Sequence, residues 1–320
     1  MRYTEIAGRR VSAMSLGTVQ LGMNYGIANN EGKPDREKSF SILSAARSAG
    51  ITTLDTARAY GDSEEVLGAY FRANPRIADD MFITTKLSSG LPSGAPSIDV
   101  EKALTKSVET SLTNLGLCKV NCLLLHNAAD MTLHGNVTAS FLKKTIAQGL
   151  ADIAGVSVYH PEEIDEMLKD DIYRAVQLPS NIFDQRFIKS GALDRLNQRG
   201  VKIFVRSVFF QGLLFLDPET ISDPDLIRCA VPHLKTLRSL SEKAGMSVGQ
   251  FAAAFLMNIP GIASLVLGAD NPEQVIENRA LFEAGPLNNS IANQAKEAFG
   301  NVDYKGIMAV LSRPKVQDRG

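Results

Sequence analysis

The chain has 320 residues, a length that allows two average domains or one large barrel. It is 44% hydrophobic and 22% charged, as globular proteins are, and its 34 basic and 35 acidic residues give a net charge of -1. This balance argues against a nucleic-acid or membrane-surface partner, since either requires a surplus of positive charge.

The lack of a recognisable targeting signal and the small number of cysteines predict a cytoplasmic protein. The sequence contains no run of eighteen apolar residues, so no membrane span is predicted. The first ten residues lack the apolar segment of a signal peptide. Three cysteines, Cys118, Cys122 and Cys229, cannot form a disulfide framework. We expect them to be small buried hydrophobes in a reducing compartment.

Short β-rich runs alternate with amphipathic helical stretches along the chain. In chain order the predicted elements are a hairpin at 2–11 turning at Ala7-Gly8-Arg9, a strand ending at LGT (16–18), a helix at 36–49, a strand at 51–55, a helix at 63–73, a strand at 81–86, a helix at 98–115, a strand at 120–126, a helix near 139–148, a strand at 151–158, a helix from Pro161, a strand at 174–178, a helix at 190–199, a strand at 201–207, a helix at 233–244, a strand at 262–268 and a helix at 271–282. The hairpin apart, these are eight strands, each followed by a helix.

Eight apolar, β-branched strands separated by helices imply parallel strands that are buried on both faces. Such units close into a (β/α)8 TIM barrel, with a doubly wound open sheet as the alternative. No break in composition suggests a second domain, so residues 1–320 are predicted to form a single barrel domain.

Local signals add detail to this outline. Gly50 is placed to end the first long helix, and Asp62 with Glu65 forms a capping-box pattern at the start of the next. Residues 88–97 form a Gly/Pro/Ser-rich loop. The long loop after the seventh strand, 208–232, either folds a small helix of its own or acts as a lid.

Three ionisable residues, Asp55, Lys86 and His126, end three successive predicted strands, one strand–helix unit apart. In a TIM barrel the carboxyl ends of the strands meet at one mouth, where active sites lie. Tyr60 follows Asp55 by five residues, in the loop that leaves the same mouth. Burying Asp55 and Lys86 near a core is expensive unless they pair, so we expect an ion pair between them.

These four side chains indicate carbonyl chemistry. The Lys86 charge is expected to lower the pKa of Tyr60 from about 10 and make the phenol a general acid toward a carbonyl oxygen. Asp55 would hold Lys86 charged and in place, and a neutral His126 would donate a hydrogen bond to the same oxygen. Because no side chain supplies a hydride, a nicotinamide cofactor is implied.

The segment DTARAYGDSEEVLG at 55–68 resembles the DTAxxYGxSE segment of the aldo-keto reductases. Lys86 at the end of ITTK and His126 at the end of LLLH match the other two members of that family's catalytic tetrad. The resemblance runs from LGT to the last barrel helix. It implies an NAD(P)H-dependent enzyme that reduces an aldehyde or ketone to an alcohol, with a small-molecule carbonyl substrate as its partner.

The cofactor, NADP(H) or NAD(H), is not expected to bind in the Rossmann manner, because no GxGxxG follows the first strand. The resemblance implies instead that it lies across the barrel mouth. The matching positions are Gly17 and Thr18 in the first loop, Ser157, Gln177 and Asn181 at the nicotinamide carboxamide, Arg206 beside the ring, Ser207, Phe209, Gln211 and Gly212 around the pyrophosphate, and Gly268, Asp270, Gln274, Glu277 and Asn278 at the adenosine end.

Some of these positions depart from the family pattern. Val158 stands where asparagine is frequent, and Arg206 where many members stack a tyrosine on the nicotinamide. A guanidinium beside an oxidised ring would disfavour NAD(P)+, which favours reduction. Asp270 suits a ribose 2′-hydroxyl and repels a 2′-phosphate, and Gln274 replaces a frequent arginine. The resemblance to the family favours NADPH, whereas the residues at this end favour NADH, so both cofactors remain candidates.

The first βα loop, 19–34, suggests what the site accepts. It is rich in polar groups, namely Asn24, Tyr25, Asn29 and Asn30, and the chain has no tryptophan. Such amides suit a small polar, sugar-like carbonyl compound, or they only solvate a surface loop. The other histidines are His134, His160 and His233; with no CxxC or HxxxH spacing, we expect no metal site.

Two other functions remain open from the residues. A nicotinamide-sensing regulatory or accessory subunit would keep the fold and cofactor but turn over little. A barrel aldolase would use Lys86 as a Schiff-base lysine and would leave Tyr60 unexplained. The natural substrate, the physiological direction and the choice between monomer and homodimer are not determined by the sequence.

Overall fold

The computed structural model describes residues 1–25 and 32–313. The chain begins with an antiparallel hairpin, β1 (Tyr3–Ile6) and β2 (Arg9–Ser12). Ala7 and Gly8 connect the strands with φ of 50° and 71°, the left-handed pair that a tight hairpin turn requires. The predicted hairpin is confirmed.

The remaining strands are parallel and close into a barrel in the order β10-β3-β4-β5-β6-β7-β8-β9. They are β3 (Met14–Gly17), β4 (Thr53–Asp55), β5 (Phe82–Leu87), β6 (Val120–Leu125), β7 (Ala151–Ser157), β8 (Tyr173–Pro179), β9 (Lys202–Arg206) and β10 (Ile262–Gly268). The (β/α)8 barrel is therefore confirmed, and the doubly wound sheet is wrong.

Helices surround the barrel. They are α1 (Val19–Gly22), α2 (Arg36–Ser48), α3 (Ser63–Ala73), α4 (Ile77–Asp80), α5 (Ser97–Leu115), α6 (Val137–Ala147), α7 (Glu162–Met167), α8 (Arg186–Lys189), α9 (Ala192–Gln198), α10 (Pro224–Cys229), α11 (Val231–Lys243), α12 (Val248–Met257), α13 (Pro272–Ala280), α14 (Asn289–Phe299) and α15 (Tyr304–Leu311), with 3₁₀ helices at Ala128–Met131 and Phe210–Phe215. Over the described ranges, none of these helices has the length and apolar character needed to cross a membrane.

Several local expectations need correction. Asp62 precedes α3 but makes no capping bond, because its backbone, with φ of -96° and ψ of 17°, is not in the extended conformation of an N-cap; its Oδ2 accepts from Lys33 Nζ at 2.5 Å. Cys118 is exposed and Cys229 partly exposed, so only Cys122 is the buried hydrophobe expected. The long segment after β9 folds the second 3₁₀ helix and α10.

The hairpin closes the amino-terminal end of the barrel. Ile6 and Val11 pack in one apolar cluster with Phe82, Cys122 and Phe204, which lie on barrel strands. The rings of Phe82 and Phe204 stack with centroids 6.1 Å apart. Because side chains alternate along a strand, positions four residues beyond Phe82 and Cys122 face the same interior at the opposite, carboxyl end. Those positions are Lys86 and His126.

Candidate active site

An ion pair lies at the centre of the barrel mouth. Lys86 Nζ donates to Asp55 Oδ1 at 2.9 Å, to Asp55 Oδ2 at 2.8 Å and to the Thr56 carbonyl at 2.9 Å. Lys86 is 1% exposed and Asp55 4%, so both charges are withdrawn from water. The pairing expected from the sequence is present, and it offsets the desolvation that isolated charges would suffer.

The protonation state of Lys86 follows from this geometry. Burial, the largest single effect, lowers the pKa of Lys86, but Asp55 and Tyr60 together outweigh it, and the pKa is raised above its ordinary value. The side chain is therefore an ammonium at neutral pH. A Schiff-base lysine must be deprotonated to attack a carbonyl, so the environment of Lys86 disfavours the aldolase alternative.

Tyr60 faces Lys86, with the ammonium 4.7 Å from the centroid of its ring. The loop that carries Tyr60 runs along β5, where Thr56 N donates to Thr84 O at 2.9 Å. The expected fall in the pKa of Tyr60 is wrong. Burial raises this pKa above 10 by more than Lys86 lowers it, and Asp55 adds to the rise. The phenol therefore keeps its proton at neutral pH.

His126 packs edge-on against Tyr60, with ring centroids 5.9 Å apart and an interplanar angle of 88°. Burial lowers the pKa of His126 below its usual value, and the positive charges of Lys86 and Arg206 lower it further. A neutral imidazole is thus held beside a protonated phenol. The four residues predicted to meet do lie together at one mouth.

Gln177 has a contact that the sequence did not indicate. On β8, opposite β4 in the barrel, its Nε2 donates to Asp55 Oδ1 at 2.7 Å, and the residue is 1% exposed. Ser157 lies beside it in the strand register and is also buried. Asn181 Oδ1 accepts from the amides of Phe183 and Asp184, and Asn181 Nδ2 donates to Ser207 O at 3.1 Å.

Arg206 ends β9 at the same mouth. Its guanidinium carbon lies 4.2 Å from the ring centroid of Tyr159, which is 51% exposed. Its Nη2 atom is buried and has no hydrogen-bond partner within the described residues. An unpaired buried donor is costly to the fold, so this group is suited to an acceptor from a ligand.

The first and last barrel strands meet where the sequence placed the first-loop contacts. Gly17 is paired in register with Gly268. The Thr18 hydroxyl is used inside the protein, since it donates to Asp55 O at 2.9 Å and bonds Ser63 Oγ at 2.7 Å. Its backbone is used as well, since the Thr18 N–H donates to Asp55 O at 2.9 Å and the Thr18 carbonyl accepts from Ser63 Oγ at 2.9 Å.

Gln20 was missed by sequence reasoning. A Cβ on Gly268 would lie 2.0 Å from Gln20 Nε2, so the glycine makes room for this amide. Gln20 Oε1 is buried without a partner in the part of the chain described. No motif marks this glutamine, and only the closure of β10 onto β3 reveals it.

The loop after β9 is strained. Ser207, Phe210 and Gln211 have φ of 61°, 50° and 57°, three of the five non-glycine residues with positive φ among those described. Such conformations cost energy and are often concentrated at ligand sites. Phe209 packs on Phe215 with centroids 4.9 Å apart, and Gly212 continues the turn with φ of 91°.

Residues predicted at the adenosine end surround the start of α13. Gln274 Oε1 accepts from Asp270 N at 2.8 Å, and Asn278 Nδ2 donates to Gly268 O at 3.0 Å. Glu277 is exposed. Asn271 caps the helix by accepting from Gln274 N at 2.8 Å. These contacts shape the loop after β10.

The first βα loop is only partly described, since Asn29 and Asn30 lie outside the described residues. Asn24 Oδ1 accepts from Lys33 N at 2.6 Å, and Tyr25 is 55% exposed. Among the other histidines, His134 is buried and bonds Ser89 Oγ at 2.9 Å, His160 is exposed and His233 is half-buried. Over residues 1–25 and 32–313, no three His, Cys, Asp or Glu side chains are grouped so as to hold a metal.

Comparisons with known proteins agree with this geometry. The sequence profile of the aldo/keto reductase family matches residues 13–298. An L-glyceraldehyde 3-phosphate reductase of Escherichia coli K12 is 30% identical, covering 87% of this chain and 86% of its own length. A probable voltage-gated potassium channel subunit beta of Oryza sativa is 23% identical, covering 90% and 93%. The solved glycerol dehydrogenase of Gluconobacter oxydans superimposes with a TM-score of 0.74 at 22% identity, covering 95% of each chain.

Proposed function

The chain belongs to the aldo/keto reductase family, and from this premise we propose that it reduces an aldehyde or ketone to an alcohol with Tyr60 as general acid. The observation that carries the proposal is the meeting of Tyr60, Lys86, Asp55 and His126 at one barrel mouth. Membership of the family and the reductase relatives support carbonyl reduction in general.

In the proposed mechanism the substrate oxygen lies between Tyr60 and His126. The neutral imidazole donates a hydrogen bond that orients this oxygen, and the phenol transfers its proton as negative charge develops there. Lys86 stabilises the phenolate that remains, and Asp55 with Gln177 holds Lys86 in place. A bound nicotinamide would supply the hydride to the carbonyl carbon.

The residues around the mouth fit a nicotinamide dinucleotide. Two buried polar atoms without partners in the described chain, Arg206 Nη2 and Gln20 Oε1, suit the many acceptors and donors of such a ligand. We propose that the cofactor is held by Gly17 and Thr18 at the first loop, by Ser157, Gln177, Asn181 and Arg206 near the nicotinamide, by Ser207, Phe209, Gln211 and Gly212 near the phosphates, and by Gly268, Asp270, Gln274, Glu277 and Asn278 near the adenosine.

The proposed substrate is small and polar, and is sugar-like. The relative from Escherichia coli is named for a three-carbon sugar phosphate, which supports this class. The polar loop near Asn24 and Tyr25 supports it as well. Both NADH and NADPH are kept as cofactor candidates, because Asp270 favours a free 2′-hydroxyl whereas the family favours NADPH.

The proposal is tested by replacing the proton donor. Tyr60→Phe keeps the ring against His126 but removes the acidic hydroxyl. The rate of glyceraldehyde reduction, followed by nicotinamide absorbance with NADH and with NADPH, is expected to fall by about 10²- to 10⁴-fold. Cofactor affinity, measured by nicotinamide fluorescence, should stay near that of the wild type. Equal activity in the variant would refute the role of Tyr60.

A second candidate is an accessory subunit that binds nicotinamide and turns over little. The similarity to a probable potassium channel β subunit favours it. Tight nucleotide binding without turnover across a panel of aldehydes, ketones and aldose sugars would select this function over the enzyme.

A further inference from the structure

Glu64 is a buried acid for which the proposed mechanism has no use. It lies in the first turn of α3 and is 2% exposed. Its Oε1 accepts from Thr85 Oγ1 at 2.6 Å. Its Oε2 faces Asn114 Nδ2 at 3.5 Å and Arg58 Nη1 at 3.8 Å.

These contacts join the two segments that carry the proton donor and its cationic neighbour. Thr85 precedes Lys86 on β5 and, by strand alternation, points out of the barrel toward α3. Arg58 lies in the loop between Asp55 and Tyr60, and its amide donates to Lys86 O at 3.4 Å. Glu64 therefore contacts the Tyr60 loop on one side and the Lys86 strand on the other.

The fold alone gives no reason for a carboxylate at this position. A buried charge is expensive, and the nearest cation, Arg58, is 39% exposed and beyond close contact at 3.8 Å. An apolar residue would pack between α3 and β5 without that desolvation. What an apolar residue cannot do is accept hydrogen bonds from Thr85 and Asn114 at once, which fixes α3 in register with β5.

Bonds from Thr56 and Arg58 hold the beginning of the loop on β5, and the other side-chain bonds at the start of α3 do not reach that strand. Ser63 Oγ donates to Thr18 O at 2.9 Å and bonds Thr56 Oγ1 at 3.0 Å. These hydroxyls tie the start of α3 to β3 and to the beginning of the loop. Glu64 supplies a side-chain link from α3 itself to β5, through Thr85.

We propose that Glu64 is a positioning residue, which holds the Tyr60 phenol at its working distance from the Lys86 ammonium by bonding Thr85 on β5 and by its charge attraction to Arg58 in the loop, 3.8 Å away. The inference rests on the proposed carbonyl reduction. Glu64 touches neither substrate nor cofactor and acts only through the placement of Tyr60. A shift of the phenol by a fraction of an ångström weakens proton transfer while leaving the binding surfaces intact.

The test compares Glu64→Gln with Glu65→Gln, a matched change at the exposed neighbour on the same helix. The Glu64→Gln change keeps the side-chain volume but removes one acceptor. In one orientation the new amide turns its NH₂ toward Asn114 and Arg58, which are donors themselves; in the other it no longer accepts from the Thr85 hydroxyl. We expect kcat for glyceraldehyde to fall about tenfold in Glu64→Gln, with KM and the cofactor Kd within about twofold of wild type. Glu65→Gln should match the wild type.

The alkaline limb of the pH profile separates a change in position from a change in charge. Asp55, Lys86, Arg206 and His126 are the charged or titratable groups around Tyr60. Removing the negative charge of Glu64 would by itself move this limb to lower pH. Moving the phenol away from Lys86 moves it to higher pH, and this is the expected result.

A second pair of variants keeps the test decisive if Glu64→Gln does not fold. Thr85→Ser retains the hydroxyl that bonds Glu64, whereas Thr85→Val removes it at equal volume. We expect Thr85→Ser to be active and Thr85→Val to lose kcat as Glu64→Gln does. Wild-type kcat and an unshifted pH limb in Glu64→Gln or Thr85→Val would overturn the positioning role alone. A wild-type protein that reduces no carbonyl compound would overturn the proposed function, and this inference with it.

Discussion

At the scale of single residues, the site separates two neighbouring titratable groups. Burial raises the pKa of Tyr60 and lowers that of His126, so a protonated phenol stands beside a neutral imidazole. Two groups whose pKa values are driven apart are a common sign of assigned acid and hydrogen-bonding roles. Lys86 does not create the acid, as the sequence suggested, but it limits the rise of the Tyr60 pKa that burial alone would cause.

The pH dependence of reduction follows from these directions. Tyr60 must keep its proton, and its raised pKa places the alkaline limb above about 10. His126 is neutral above a pKa that lies below its ordinary value of about 6.5. We therefore expect log kcat/KM for carbonyl reduction to be flat between about pH 6.5 and 10.

The measurement is a set of initial rates across that range at constant ionic strength, with nucleotide stability corrected at the acid end. A single inflection between the two limbs would contradict the assignment, because it would require a titrating group in a range where neither Tyr60 nor His126 titrates. The His126→Gln variant is the control, and its profile should lose any acid limb that the wild type has.

At the scale of secondary-structure elements, one buried acid ties the loop after β8 to the last helix. Asp184 Oδ2 lies 3.3 Å from Arg186 Nη2, and Arg186 Nη1 donates to the hydroxyl of Tyr304 on α15. Burial raises the pKa of Asp184 to about 6, although Arg186 opposes this. The folded state thus binds the Asp184 proton more tightly than the unfolded chain, whose aspartates titrate near about 3.9.

This difference predicts a pH-dependent stability. The stabilisation from protonated Asp184 is fully present below about pH 4 and is lost as the pH rises through about 6. In Asp184→Asn the dependence disappears, so the variant should gain about 2 kcal/mol relative to wild type between about pH 4.5 and 7.5. Urea unfolding at both pH values measures the change. A stability difference that is the same at both would show that Asp184 does not titrate in this window.

Most elements, though not all, could be read from the sequence. The strands were predicted because each is a short β-branched run between helices, and α3 was predicted from Ser63 to Ala73 as observed. The helix α12 was missed, since VGQFAAAFLM is apolar on all sides and has no periodic stripe. Its start carried a signal, the capping box of Ser247 and Gln250. The Asp62 and Glu65 pattern looked similar and was misleading, because the Asp62 backbone does not adopt the extended conformation that an N-cap needs.

At the scale of the whole molecule, the site depends on closure of the barrel. Strand ends could be predicted to meet, so Asp55, Lys86 and His126 were found from spacing alone. The hydrogen bond from Gln177 to Asp55 could not be predicted, because it crosses the barrel and joins residues 122 positions apart in the sequence. The contact of Gln20 with Gly268 could not be predicted either. Nor could the direction of the Tyr60 pKa shift, because it depends on how completely the folded chain excludes water from the phenol.

Because the proposed cofactor residues come from both ends of the chain, nucleotide binding should stabilise the entire fold. Gly17 and Thr18 lie on the first barrel strand and its loop, and Gly268 and Gln274 on the last strand and its helix. A ligand at about 100 times its Kd adds about 2.7 kcal/mol to the free energy of unfolding, which raises Tm by several degrees. Differential scanning fluorimetry with NADH and NADPH measures this, and no shift with either at millimolar concentration would contradict the site.

In Gln274→Arg the added guanidinium would pair with a 2′-phosphate, so the ratio of NADPH to NADH affinity should rise by about tenfold. An unchanged ratio would place the adenosine end of the cofactor away from α13.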